Sequence, residues 1–273
     1  MRRAVFLIAL LAAQTAWAHG AVHEQIRLLE ARIARAPGDA ELYLERGRLY
    51  LEDRHFEEAN RDFRRALTLD PRLRAAHYFQ GSSRLRSGDA AGAEREARAF
   101  LSALGREDRG GLMRGYRLLG QSLAEQGRPA EAAEACRSAL GQADEPDPGL
   151  YRECADAALA ASQSPEALRI LDEGIGRLGP LTVLEEKAIE IELQAGGTDG
   201  ALARLDRLAA AGPGRERWLA QKGEVLERAG RSAEARQAFE AALAAIRSLP
   251  PGRRKTRSLL RLEQEVEARL QSL

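Results

Sequence analysis

Small residues recur along this chain at fixed intervals, and that recurrence limits the possible folds more than any other feature. Gly47 stands twelve residues before Ala59, which stands seven before Ala66. The same intervals join Gly81, Ala93 and Phe100; Gly120, Ala132 and Ala139; Ala155, Ala167 and Gly174; and Gly223, Ala235 and Ala242. Ala188, Ala201 and Leu208 follow suit with one residue inserted in the turn GGTDG. From Ala59 to Ala235 the middle members are spaced 34, 39, 35, 34 and 34 residues apart. A period near 34 belongs to a helix–turn–helix unit repeated in tandem. Where two antiparallel helices cross closely, only Gly or Ala lets the backbones approach. Each hairpin is left with an uncovered apolar face and stacks on the next.

The punctuation agrees with this reading. Ser87-Gly88-Asp89, Gln126-Gly127-Arg128 and Ala229-Gly230-Arg231 fall between paired helices. Pro129 and Pro165 suit the first turn of a second helix, where a missing N–H costs nothing. Asp70-Pro71, Asp147-Pro148, Gly179-Pro180, Gly212-Pro213 and Pro250-Pro251 separate the units, and the polar stretch GREDRGG at 105–111 absorbs the long interval as a loop. Aromatic residues make up only 5% of the chain and no stretch alternates as a strand would. Small apolar side chains in bulk suit close helix packing better than a sheet. The expected fold is all-α.

Residues 40–73 carry the pattern most fully, through Tyr43, Gly47, Tyr50, Ala59, Phe63, Ala66 and Pro71. This pattern resembles the tetratricopeptide repeat. The resemblance implies a right-handed solenoid of antiparallel helix pairs, about six units over 40–250. A leading helix within 19–39 and a capping helix within 251–273 complete the expected organisation. The fourth and fifth units depart most, with alanine for the first-helix glycine and Gly174 and Leu208 for the late alanine.

The first twenty residues, MRRAVFLIALLAAQTAWAHG, read as a secretory signal peptide over 1–18. Arg2 and Arg3 open it, an apolar run too short to span a bilayer follows, and Ala16-Trp17-Ala18 offers a cleavage site. No cysteine follows that run to accept a lipid anchor. The expected product is exported, without an integral membrane segment after cleavage, and the Ala-, Gly- and Arg-rich composition points to a bacterial periplasm. Removal of Arg2 and Arg3 leaves 40 basic against 41 acidic residues, a net charge of −1. That balance excludes a general nucleic-acid binder, which would carry a basic excess.

No phosphate-binding glycine loop, G-x-S-x-G or H-E-x-x-H motif occurs, so neither an enzyme nor a cofactor is expected. Adjacent acids such as Glu57-Glu58 and Glu185-Glu186 read as solvated surface. His77 takes the slot of Tyr43 and reads as a core histidine, and His55 as a solvated turn residue. After cleavage, the terminal amine and imidazole of His19, with His23, could chelate Cu(II), which gives a metal-handling alternative. Cys136 and Cys154 flank the connection between the third and fourth units at similar heights, and an oxidising compartment would favour a disulfide between them; two buried free thiols are the other possibility.

Function otherwise follows from the resemblance. In the tetratricopeptide family the first helices line a concave groove that receives proteins or peptides. Mapped onto this sequence, the central groove would display Tyr78, Ser82, Arg114, Arg117, Gln121 and Arg152, and the later groove Glu185, Glu192, Glu224 and Glu227. The arginines imply an acidic protein or peptide partner. The family's clamp for chaperone C-termini wants lysine and asparagine where this chain has Leu44 and Arg48, so that specific role is not supported.

Overall fold

A computed structural model describes residues 22–212 and 214–273. Every regular element among them is a helix. The chain divides into two compact units, Met1–Glu145 and Pro146–Leu273. The first holds α1 (22–35) and three helix pairs. These are α2 (Ala40–Glu52) with α3 (Phe56–Leu69), α4 (Arg74–Arg86) with α5 (Ala90–Ser102), and α6 (Arg109–Glu125) with α7 (Pro129–Gln142). The second unit also holds three pairs: α8 (Pro148–Ala160) with α9 (Ser164–Leu178), α10 (Thr182–Gln194) with α11 (Thr198–Ala211), and α12 (Arg215–Arg228) with α13 (Ser232–Ser248). A single turn, α14 (Pro251–Arg254), and α15 (Arg257–Ser272) complete it.

Each hairpin turns through one residue in the left-handed region. Gly88, Gly127, Gly196 and Gly230 occupy it with φ of +88°, +70°, +78° and +73°, at no steric cost. Arg54 and Ser162 hold the equivalent corner at φ +61° and +60°, where a Cβ is strained. Aspartates start several helices: the side chains of Asp39, Asp89, Asp108 and Asp147 accept hydrogen bonds from backbone N–H groups of the first turn. Asp108 explains one departure from the sequence reading. Its cap, 2.9 Å from Gly111 N, starts α6 at Arg109, so the latter part of the expected 105–111 loop is helix.

The small residues sit at tight crossings. A methyl carbon added at Gly47 would lie 2.6 Å from Cε1 of Phe63, and one at Gly223 would lie 2.5 Å from both Cδ1 and Cε1 of Phe239. Both rings are buried. Phe63 and Phe239 each follow their glycine by 16 residues. In the fourth pair Ala155 replaces the glycine and Leu171 stands 16 residues on; in the fifth, Ala188 is followed by Leu205, one residue later because of the insertion. The two departures therefore compensate: a methyl on the first helix accompanies a smaller, non-planar side chain on the second. Gly120, facing Cys136, is roomier, its nearest neighbour being the Ala132 carbonyl oxygen at 3.3 Å.

In the second unit the core runs from Ile189 through Leu205, Trp218 and Phe239 to Val266 on α15, and Leu259, Leu262 and Leu270 pack against it. In the first unit, Leu44, Leu51, Ala59, Phe63, Ala66 and Ala76 form one apolar cluster, which Tyr43, Tyr50 and Phe79 flank.

Candidate partner-binding surface

The groove residues expected from sequence divide between the units: Tyr78, Ser82, Arg114, Arg117 and Gln121 stand in the first, Arg152 in the second. Within the first unit the structure builds a definite arrangement around α4. Tyr78 and Phe79 are consecutive there, with ring centroids 5.3 Å apart. Phe79 stacks on the buried Phe63 at 6.1 Å, and Tyr78 lies 5.3 Å from Phe100, so the hydrophobic core holds both rings from beneath. Arg48 of α2 lies over the Phe79 ring at 5.0 Å, and Arg114 of α6 over the Tyr78 ring at 6.0 Å. Three successive first helices thus contribute an Arg–Phe–Tyr–Arg row. Ser82 follows Tyr78 by one turn and is half-buried.

Both guanidinium groups in this row are exposed, and neither has a carboxylate within ion-pair distance among the described residues. Their faces are fixed by the rings while their N–H edges stay available. This contrasts with Arg46, two residues before Arg48 on the same helix and so on a different face of it. Arg46 donates to both oxygens of the buried Asp62 at 2.8 and 2.7 Å, and those bonds raise its pKa above the usual guanidinium value. Arg117 and Gln121 are half-buried and already engaged within the protein. Arg152 is exposed on α8. Sequence reasoning missed Phe79 and set Arg48 aside as a departure from the chaperone clamp; Leu44, the other clamp slot, is buried.

The acidic residues expected in the later groove require a correction. Glu185 is fully buried rather than displayed. Arg207 donates to its two oxygens at 3.0 and 3.1 Å, and Arg204 to one of them at 3.3 Å. Arg204 is itself buried and also grips Asp172 at 2.7 and 3.1 Å, with Glu192 3.6 Å away. Burial opposes the charge on Arg204, but the bonds to Asp172 and Glu185 outweigh it and raise its pKa. Glu186 pairs with Arg217 at 2.7 Å, Glu227 with Arg269 at 2.5 Å, and Glu224 lies 3.8 Å from Arg228. The acidic stretch is therefore largely neutralised from within.

The histidines divide similarly. His77 is only partly buried, with Nδ1 2.7 Å from Glu96, so it is a paired polar group rather than an apolar core residue. His55 lies 3.0 Å from Asp53. His23 is exposed, 3.8 Å from Asp53, and His19 lies outside the described residues. Among the described residues no group of three His, Cys, Asp or Glu side chains is placed to hold a metal ion. Cys136 on α7 and Cys154 on α8 are both buried, and neither is free.

Two sequence profiles of the tetratricopeptide repeat match the chain, one over residues 40–73 and the other over 95–148 and 187–250, together more than half its length. No curated protein matches the sequence. Among solved structures, the C-terminal part of a TPR repeat-containing protein from Cytophaga hutchinsonii superposes with a TM-score of 0.66 at 15% identity, over 88% of this chain and 94% of that one. YrrB, described as a TPR protein with an unusual peptide-binding site, gives 0.55 at 20% identity, over 71% of this chain and 97% of YrrB. The Cut9–Hcn1 hetero-tetramer of the APC/C gives 0.51 at 18% identity; 89% of this chain is covered but only 46% of the matched one. At these identities the likeness is one of fold.

Proposed function

The chain belongs to the tetratricopeptide repeat family, and from that premise we propose that it is a non-catalytic interaction scaffold that receives an acidic protein or peptide segment on its first unit. The observation that carries this reading is the Arg48–Phe79–Tyr78–Arg114 row. Its cations have no carboxylate within ion-pair distance among the described residues, and its rings are supported by the core. Such a platform offers an acidic peptide two forked donors and an apolar floor at little cost in side-chain ordering. Ser82, one turn along, extends the set of contacts proposed for the partner. The repeat family as a whole, whose members bind proteins and peptides, supports the same assignment.

We place the protein outside the bacterial cytoplasm, in the periplasm, with residues 1–18 removed. The basic, apolar and small-residue order of that segment supports export, and no helix among the described residues is long and apolar enough to cross a membrane. Mass spectrometry of the protein recovered from the cell envelope tests export: a first residue of His19 is expected, and an intact Met1 terminus refutes it.

Crosslinking in the cell envelope, followed by identification of what co-purifies, supplies the partner. Its association is then measured against the R48E/R114E variant. Charge reversal should slow association and flatten its salt dependence. Unchanged kinetics would place the interface elsewhere and refute the assignment of this surface.

A further inference from the structure

We propose that the C-terminal corner of the second unit, α14 and the start of α15, is an electrostatic docking surface for an anionic phospholipid bilayer. Residues 247–261 carry Arg247, Arg253, Arg254, Lys255, Arg257 and Arg261 and no acidic residue, in a chain whose 42 basic and 41 acidic residues balance only as a whole. Two of these cations are compensated on α15: Arg247 lies 3.7 Å from Glu267, and Arg261 lies 2.8 Å from Glu265. The other four have no carboxylate within ion-pair distance among the described residues, and Arg253, Lys255 and Arg257 are exposed. Elsewhere in this unit Lys187, Arg204, Arg217, Lys222 and Arg231 all find acids at 2.6–2.8 Å. Four like charges within five residues repel one another unless an external counter-charge is supplied.

Several features favour a bilayer over a discrete ligand. Leu260 is 46% exposed while Leu259 and Leu262 turn inward to the core, so the outward face of α15 begins Arg257, Leu260, Arg261. An exposed leucine between arginines suits the interfacial zone, where aliphatic stems lie among headgroups and guanidinium forks meet phosphates. Beside this face opens a groove of about 810 Å³, lined by Arg217, Arg253, Arg257 and Leu259 among others. The fully buried side-chain polar atoms without a partner among the described residues belong to Asn60, Arg84 and Tyr151, none of which lines this groove, and the acid that does enter its lining from the core, Glu216, would repel a small anion. Trp218, the neighbouring aromatic, is buried and provides no stacking platform for single-stranded nucleic acid.

Vesicle flotation tests the proposal, comparing the full chain with its R253Q/K255Q/R257Q variant, so that anything residues 1–18 contribute cancels in the ratio. The three side chains are exposed and unpaired, so the variant should keep its helical circular dichroism and its melting temperature. Wild type should float with phosphatidylcholine vesicles containing about 30% phosphatidylglycerol, and much less with pure phosphatidylcholine. It should dissociate in about half-molar salt, where the Debye length falls to about 4 Å. Each cation near such a surface is worth roughly a fivefold change in partitioning, so the variant should bind about 100-fold more weakly. Equal flotation of wild type and variant would overturn the proposal, as would equal binding to neutral vesicles. Capture by immobilised polyglutamate without vesicle binding would overturn it in favour of an acidic protein partner.

Discussion

Replacing Gly223 by alanine should destabilise the second unit, although alanine is the better helix former. A Cβ at this position meets Cδ1 and Cε1 of Phe239 at 2.5 Å and Cζ at 2.8 Å. These atoms belong to a planar ring that is only 1% exposed, in the core cluster that also holds Leu226, Ala242 and Leu243. The ring cannot give way as the end of a flexible chain can. Overpacking of this kind costs about 1–3 kcal/mol, and the gain in helix propensity returns about 1 kcal/mol. The two 2.5 Å contacts with a buried ring place the overpacking in the upper part of that range, about 2–3 kcal/mol, so a net loss of about 1–2 kcal/mol follows. Phe239→Leu alone should also destabilise, by leaving a void beside glycine. The G223A/F239L pair recreates the combination found at Ala155 with Leu171 and at Ala188 with Leu205, and should be more stable than the sum of the single changes by about 1–2 kcal/mol. Urea titrations followed by far-UV circular dichroism close the double-mutant cycle. Gly120→Ala is the milder comparison: its nearest neighbour, the Ala132 carbonyl oxygen, lies at 3.3 Å rather than 2.5 Å, so the change should cost less than G223A. Strict additivity in the cycle, or a G223A protein as stable as wild type, would show that the crossing does not select its residues by contact.

Other consequences can be measured on the same protein. Ser162→Gly and Arg54→Gly should each stabilise by about 0.5–1 kcal/mol, because a left-handed corner strains any residue with a Cβ; a lower urea midpoint in either variant would count against that explanation. Glu185→Ala should cost about 2–3 kcal/mol, the usual penalty for breaking a buried pair reduced because Arg204 keeps its bonds to Asp172. Arg207→Ala should cost less, since Glu185 then keeps Arg204; equal melting temperatures for the two variants would contradict the arrangement. Although burial pushes Glu94 upward, hydrogen bonds from Gln126 and Arg98 and the charge of Arg128 hold its pKa below the ordinary glutamate value. A depressed folded-state pKa stabilises above about pH 4.5 and the benefit is lost as pH falls through the folded value. Glu94→Gln should therefore flatten the acid limb of the stability profile, and an unaltered limb would refute this. Finally, we propose that Cys136 and Cys154 are bridged: denatured, unreduced protein should show no reactive thiol, and a count of two would exclude the bond.

The fold was legible because its strongest requirement is local. A close helix crossing needs a small residue at one height on each partner, and the hairpin fixes the distance between those heights, so the interval of twelve survives in five of the six units and shifts only where the turn gains a residue. The burial of Glu185 was less accessible. The sequence shows two adjacent acids on a helix rich in charge, and solvated surface is the ordinary meaning of such a pair. The periodicity argued otherwise, since Glu185 lies three residues before Ala188 and four before Ile189, both buried, and so shares their inward face. What the sequence could not supply was the reason a charge is tolerated there. That reason is Arg204 and Arg207 on the next helix, 19 and 22 residues away.

The same limitation hid the candidate surface, and the structure shows what would lift it. Arg48 lies over Phe79, 31 residues on; Glu186 pairs with Arg217 and Asp156 with Lys187, again 31 residues on. Tyr78 meets Arg114 after 36, across the one interval that carries five extra residues. Each partner thus falls about three residues short of a full repeat. Residues of successive first helices therefore face one another with a slip of nearly one helical turn, not at equal positions. That slip depends on how far each hairpin tilts against its neighbour, a property of two packed repeats that neither records alone. Aligning repeats by their glycines and alanines places Arg48 level with Ser82, and so pairs it with the wrong residue. Shifted by one turn, the same alignment brings Arg48 to Phe79 and Tyr78 to Arg114, and two isolated arginines become the ends of one continuous row.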